Sequence, residues 1–384
     1  MELKKIAIVF GTRPEAIKMA PLIKELKKTP ELYDVKIIVT AQHREMLDQV
    51  LKVFKITPDY DLNIMRSEQT LSDITAMVLK KLECIFIKES PDMVLVHGDT
   101  TTSFTAALAA YYQQIPIGHV EAGLRTNDKY FPFPEEVNRQ FIDTIADLYF
   151  VPTKTTKVNL LKENKPEEKI FVTGNTAIDA IHYTLQQTGQ HSIQKILDPS
   201  QKWILLTMHG RENYGQPMKE VFEAVRKVVE TYKSVSVIMP VHLSPSVQKA
   251  AESSLGNHDR IHLIPPLKVD DFHKVLKKVY LVLTDSGGLQ EEAPALNLPV
   301  LVLRNNTERP EGQKAGTLKV IGTKKERVYK EIIELLEDEV QYKKMSLAPN
   351  PYGDGFASVY IVKALTEYFK KEGKFFKEQG DSER

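Results

Sequence analysis

Carboxylates, imidazoles and cations recur in this chain directly after short apolar runs. They are Arg13 and Lys18, Gln42 and His43, Asp99, Glu121 and Arg125, His209, His242, and the stretch from Ser286 to Glu292. A further acidic pair, Glu135-Glu136, follows Phe131-Pro132-Phe133-Pro134. Carboxylates and histidines of this kind can take up and release protons during a reaction. The turn Thr284-Asp285-Ser286-Gly287-Gly288 suits an anion. Its glycines carry no Cβ, Ser286 is a good N-cap, and a helix N-terminus offers free N–H donors with partial positive charge. Glu291 and Glu292 follow within the first turn and a half, where a carboxylate can also accept from ribose hydroxyls. Each feature also has a plainer reading. Arg13 and Lys18 fit solvated charges of a first helical turn, Asp99 fits a helix cap, and one of Glu135 and Glu136 fits a dipole-favoured helix start. Glu121 fits such a reading least, because it directly follows an apolar strand. His209 and His242 both end strands, but no H-x-x-x-H spacing or clustered third ligand accompanies them, so no metal site is expected.

The positions of these residues follow from the elements before them. Ile6–Phe10, Val35–Thr40, Met93–Val96 and Ile115–Val120 read as buried strands separated by helical patterns. Pro14 suits the first position of the first helix. The pattern restarts with Trp203–Met208, Val235–Met239, Val279–Leu283 and Val300–Leu303. Strands that are continuously apolar and alternate with helices predict parallel sheets covered on both faces. Met93–Glu121 and Leu281–Glu308 share one layout of strand, Asp, turn, helix, X-Pro and strand, so two doubly wound domains of similar plan are expected. The switch is expected near Ile170–Asn175, ahead of the weakly patterned Leu185–Lys202. Ligands of such sheets sit at the carboxyl ends of the strands. Two sets of ends facing one cleft suit an anionic, hydroxylated ligand such as a nucleotide sugar.

Composition narrows the classes further. Lys+Arg 52 against Asp+Glu 51 leaves no net field for nucleic acid or an anionic membrane. Cys84 is the only cysteine, which excludes a disulfide framework, and its helical context predicts a buried, inert thiol. No apolar run approaches the roughly 20 residues of a membrane helix, so a soluble, cytoplasmic protein is expected. Phe369–Arg384 is charge-rich and reads as a frayed helix followed by a disordered tail.

Taken together, several of these segments resemble the bacterial non-hydrolysing UDP-N-acetylglucosamine 2-epimerases. They are Gly11-Thr12-Arg13-Pro14-Glu15, Gln42-His43-Arg44, His97-Gly98-Asp99-Thr100, Gly118 through Thr126, Pro134-Glu135-Glu136, Thr284 through Gly288, Thr307 through Glu311 and Asn350 through Gly355. The resemblance runs from the first strand to about Ser358. It implies a GT-B-like α/β fold with two Rossmann-like domains and the active site in the cleft between them. On that basis 1–170 is the N-terminal domain, with a C-terminal helix of about 358–375 packing back on it. Residues 171–357 form the UDP-binding domain and 376–384 a charged tail. The implied reaction is reversible interconversion of UDP-N-acetylglucosamine and UDP-N-acetylmannosamine without NAD or metal, by elimination of UDP to 2-acetamidoglucal and re-addition. Asp99, Glu121, Glu135 and His209 match the family's catalytic groups. Arg13, Lys18, Arg139, Leu267, Phe272, Ser286, Gly287, Gly288, Glu292 and Arg309 match its substrate contacts. A homodimer is also implied, as is a role in supplying cell-surface polysaccharide.

Two departures from the family pattern bear on regulation. Gly210 stands where His-Arg-Arg-Glu is usual, and Glu68 stands where some relatives have arginine. In relatives activated by a second substrate molecule those arginines act with the counterparts of Gln42, His43 and His242. Each charge-assisted contact is worth roughly 1.5–3 kcal/mol, so weak or absent activation is expected. Phe131 replaces a common serine in the loop that presents Glu135. A hydrolysing epimerase, a GT-B glycosyltransferase and a non-catalytic nucleotide-sugar sensor are the competing readings.

Overall fold

The computed structural model describes residues 2–41, 44–66, 69–187 and 196–382, with 372–382 by backbone alone. Gln42, His43 and Glu68 therefore lie outside the described residues. The chain divides into two compact units, Met1–Tyr183 with Tyr352–Arg384, and Thr184–Pro351.

The first unit is built on a seven-stranded sheet. Its strands are β1 (Lys4–Phe10), β2 (Tyr33–Val39), β3 (Tyr60–Asp61), β4 (Met93–His97), β5 (Ile117–Val120), β6 (Leu148–Val151) and β7 (Ile170–Val172). They pair in parallel in the order β3-β2-β1-β4-β5-β6-β7. Successive side chains of a strand point to opposite faces, and both faces here are covered. Ala7 and Val9 join a core with Val78, Leu82 and Ala106 from the helices Leu71–Glu89 and Thr101–Tyr112. Ile6, Ile8 and Phe10, on the opposite face, are also buried. Two-sided burial is why this strand is apolar throughout rather than alternating.

The second unit repeats the plan with β8 (Lys202–Thr207), β9 (Val235–Pro240), β10 (Ile261–Ile264), β11 (Leu281–Thr284), β12 (Val300–Val302) and β13 (Leu318–Val320). Their order is β10-β9-β8-β11-β12-β13, so β8, β9 and β11 take the places of β1, β2 and β4. Ile204 and Leu206 pack into one core and Trp203 and Leu205 into another. The expected fold class, two doubly wound parallel-sheet domains, is the one observed, and the two matching blocks occupy equivalent places in it. In both sheets the strand order reverses beside the central strand, which is where such folds place ligands.

Some expectations shift. Ile170–Val172 is the seventh strand of the first sheet, pairing with β6, so this unit runs past position 170 to Tyr183. The strand expected from Ile115 begins at Ile117, one residue after Pro116. The last helix spans Ala357–Ser382, past the end near 375 that the resemblance implied and into the expected charged tail. It meets the first unit through Tyr33 and Thr366, whose hydroxyls lie 2.7 Å apart. Its N-terminus is capped by Asp179, which accepts from the N–H groups of Ala357 (3.2 Å) and Ser358 (2.8 Å). Cys84 is exposed, not buried. The buried stripe of its helix is Ile74, Val78, Leu82, Ile85 and Phe86, and position 84 lies off that stripe.

Candidate active site

In the first unit the polar residues gather on the loops after β1, β4 and β5, joined by Glu15. This carboxylate is 2% exposed. Its Oε2 accepts from the N–H groups of Gly11 (3.0 Å) and Thr12 (2.7 Å), and its Oε1 from the hydroxyls of Thr100 and Ser103, both at 2.7 Å. The loops after β1 and β4 are thereby locked together. Thr100, not Asp99, caps the helix Thr101–Tyr112 by accepting from the Ser103 N–H at 3.1 Å. The capping reading of Asp99 is thus excluded. The Asp99 carboxylate stands 3.5 Å from Arg139 Nε. Burial pushes its pKa up; Arg139 and His97 oppose the rise, while Glu121 and Glu135 add to it.

Glu121 sits in the opposite setting. It follows β5 in the left-handed region, φ +66°, which a non-glycine residue adopts only when its surroundings fix it. Lys18 forms an ion pair with its Oε2, and the Asn175 amide donates to the same oxygen at 2.8 Å. His97 Nε2 is 3.6 Å from it. Burial works against the charge, but Lys18 and His97 hold this carboxyl well below the usual range. Within one unit, the two carboxyls are therefore shifted in opposite directions.

Glu135 and Glu136 sit in different settings. Glu136 is fully buried and accepts from the N–H groups of Thr126 and Asn127, both at 3.0 Å, and from Gln140 at 2.8 Å. It shapes the loop. Glu135 is the first residue of its helix and half-buried, in electrostatic reach of Asp99. Phe131 is exposed at the tip of that loop. Arg13 opens the helix Arg13–Leu26 and is half-buried. Beneath these groups lies a pair absent from the sequence reading. His119 is fully buried, with Nδ1 2.6 Å from Asp143 and Nε2 2.7 Å from the Gly98 carbonyl, directly before Asp99.

In the second unit Asp285 organises the turn after β8. It is fully buried and accepts from the N–H groups of His209 and Gly210, and from Asn213 Nδ2 at 3.0 Å. His209 is thus fixed by its backbone while its side chain stays half-exposed, its ring stacked on His242 at 5.6 Å. Burial, with His209 alongside, pulls the His242 pKa down. Ser286 occupies the N-cap position of the helix Gly287–Glu292, but its side chain makes no capping bond. Its own N–H donates to Thr284 Oγ1 at 2.9 Å. The Arg309 guanidinium lies over Gly287, at ordinary contact distance from where a Cβ would stand, and its Nε donates to Glu291 at 2.8 Å. Glu291 is therefore structural, while the Glu292 carboxylate lies beside Gly288 and 3.9 Å from His273 Nε2. Leu267 and Phe272 pack, half-buried, on the core under β11.

The candidates Lys18, Asp99, Glu121, Glu135 and Arg139 are thus in one neighbourhood of the first unit. In the second unit His209 stacks on His242 and is tied through Asp285 to the turn that leads into Gly287 and Gly288, beside which Glu292 and Arg309 lie. Sequence reasoning assigned no individual role to Glu15, His119, Asp143, Asn175 or Asp285. Among the described residues no group of His, Cys, Asp and Glu is placed to hold a metal ion, and no helix is long and apolar enough to cross a membrane.

Two parallel-sheet units of one plan, with their polar groups on the carboxyl ends of the strands, define a GT-B-like α/β protein. A family model described as UDP-N-acetylglucosamine 2-epimerase matches residues 24–366. The chain belongs to the UDP-N-acetylglucosamine 2-epimerases, a family of isomerases. It is 56% identical to the Bacillus subtilis UDP-N-acetylglucosamine 2-epimerase, over 100% of this chain and 99% of that one. A structure of S. aureus MnaA with UDP matches with a TM-score of 0.87 at 56% identity, covering 96% of this chain and 97% of that one. The UDP-GlcNAc 2-epimerase from Neisseria meningitidis, bound to UDP-GlcNAc, matches with a TM-score of 0.87 at 45% identity, covering 94% of this chain and 100% of that one.

Proposed function

We propose that this chain is a non-hydrolysing epimerase that interconverts UDP-N-acetylglucosamine and UDP-N-acetylmannosamine at C2. The C2 hydrogen is not adjacent to a carbonyl and is weakly acidic, so its removal must accompany departure of the leaving group. A carboxylate takes the C2 proton as the C1–O bond breaks, and the bond electrons leave with UDP. The product, 2-acetamidoglucal, stays bound. A proton then returns to C2 on the other face as UDP re-adds at C1, which inverts C2 and consumes no co-reactant.

The single observation that carries this reading is the contrast between two nearby carboxyls. Glu121 is paired with Lys18 and held low in pKa, whereas burial raises that of Asp99, 3.5 Å from Arg139 Nε. Inversion needs proton carriers on both faces of the ring, and separated pKa values are how such roles are divided. Glu121 serves one face, and Asp99 with Glu135 the other. Lys18, Arg13 and Arg139 offset negative charge around the sugar. Ser286, Gly287, Gly288, Glu292 and Arg309 hold the diphosphate and ribose, with Leu267 and Phe272 at the uracil. His209 assists the departing diphosphate. Family membership supports a cytoplasmic homodimer that supplies N-acetylmannosamine units for cell-surface polysaccharide.

Incubation with UDP-N-acetylglucosamine, followed by proton and phosphorus NMR, tests this function. An equilibrium mixture of the two UDP-sugars is expected, with no free sugar. Accumulation of free N-acetylmannosamine and UDP would instead establish a hydrolysing enzyme.

A further inference from the structure

Asn175 follows β7 and is 3% exposed. Its side-chain amide is held at both ends. Oδ1 accepts from the Ala177 N–H at 2.9 Å, and Nδ2 donates to Glu121 Oε2 at 2.8 Å. The first bond settles the amide's orientation, because an inverted amide would set NH₂ against N–H. The backbone is clamped as well. The Asn175 N–H donates to the Tyr352 carbonyl at 2.7 Å. Gly174 before it has φ +83°, and a Cβ there would stand 3.0 Å from the Tyr352 oxygen and the Gly353 Cα. The donor aimed at Glu121 therefore has almost no freedom to follow the carboxylate if it moves.

We infer that Asn175 is a positioning residue for Glu121, fixing Oε2 so that Oε1 is the oxygen that exchanges the proton. Lys18 and Asn175 both converge on Oε2, with His97 nearby, whereas Oε1 is turned toward Gly98. An N–H aimed at a carboxylate oxygen favours the charged form, and a saturated oxygen is a poor place for an incoming proton. The charged and titratable groups near this carboxylate include Lys18, His97 and Asp99. Unlike them, the Asn175 amide cannot change its own charge. This inference rests on the reading of Glu121 as a proton carrier.

The test uses the full chain and two readouts. One is the titration of the Glu121 carboxyl carbon in ¹³C-glutamate-labelled protein, its resonance identified by its loss in Glu121→Gln. The other is kcat for epimerisation across pH. Asn175→Ala is expected to raise the Glu121 midpoint by about half to one pH unit and to lower kcat about 10-fold or more, with KM within about threefold. Asn175→Asp, which sets a second carboxylate against Oε2, is expected to raise the midpoint further. An unmoved midpoint in both variants overturns the inference, whether kcat is retained or is lost along with Tm. A wild-type chain that forms no UDP-N-acetylmannosamine overturns the epimerase reading instead. A shifted midpoint in Asn175→Ala would still support the hold of Asn175 on Glu121.

Discussion

Glu121→Gln is expected to lower kcat for epimerisation about 10²–10⁴-fold, the range that general acid–base groups contribute, while UDP affinity stays within a few-fold. The substitution keeps the side-chain volume and leaves an oxygen for Lys18, so the loop after β5 should retain its shape. What is lost is the anion. Lys18 and Asn175 stabilise a negative Oε2, and a carboxamide cannot take up the C2 proton. The residues proposed to grip uridine and diphosphate belong to the other unit, so binding of UDP should be insensitive to this change. Steady-state rates and calorimetric UDP titration check both halves. Full activity in Glu121→Gln would remove it from the proton-transfer role.

The largest effect on stability is expected from Asp143→Ala. The carboxylate is 0% exposed and carries three partners: His119 Nδ1 at 2.6 Å, Arg125 at 2.7 Å and the Gly123 N–H at 3.2 Å. Its burial opposes ionisation, but His119 and Arg125 hold its pKa down. Removing it leaves the buried His119 Nδ1 and the buried Gly123 N–H without this partner. Arg125, whose side chain is 3% exposed, keeps only the half-exposed Glu163 of its two carboxylate partners. Breaking a buried pair from one side costs about 3–5 kcal/mol. In a unit of this size that lowers Tm by on the order of 10 °C, readable by calorimetry. Activity should fall too, because His119 Nε2 anchors the Gly98 carbonyl directly before Asp99.

The framework was legible because burial on both faces makes a parallel strand apolar throughout, and eight such runs alternate with helices along the sequence. Site candidates were legible for a related reason. A charge directly after a buried strand has to lie at the sheet's carboxyl edge. What remained hidden was the division of labour among equally polar residues. Asp285 and Asp99 look alike in the sequence, each ending a strand before a hydroxyl and a helix. Asp285 spends its oxygens on the backbone of His209 and Gly210, whereas Asp99 does not even cap its helix. Glu15 looks like a first-turn acid, and its bonds to Thr100 and Ser103 join positions more than eighty residues apart. Asn175 reaches Glu121 across 54 residues. Such partnerships exist only once the sheet order is set. Cys84 failed for a local reason, the wrong phase on a helix whose buried stripe is narrow.

Positional isotope exchange tests the elimination most directly. UDP-N-acetylglucosamine carrying ¹⁸O in the bridge between C1 and the β-phosphorus is incubated with the protein and followed by phosphorus NMR. If UDP leaves and returns, its β-phosphate rotates between the two events, and ¹⁸O appears in non-bridging positions at least as fast as the epimer forms. UDP-N-acetylmannosamine that forms with all of its ¹⁸O still in the bridge would contradict a reaction in which proton removal at C2 and departure of UDP are one event.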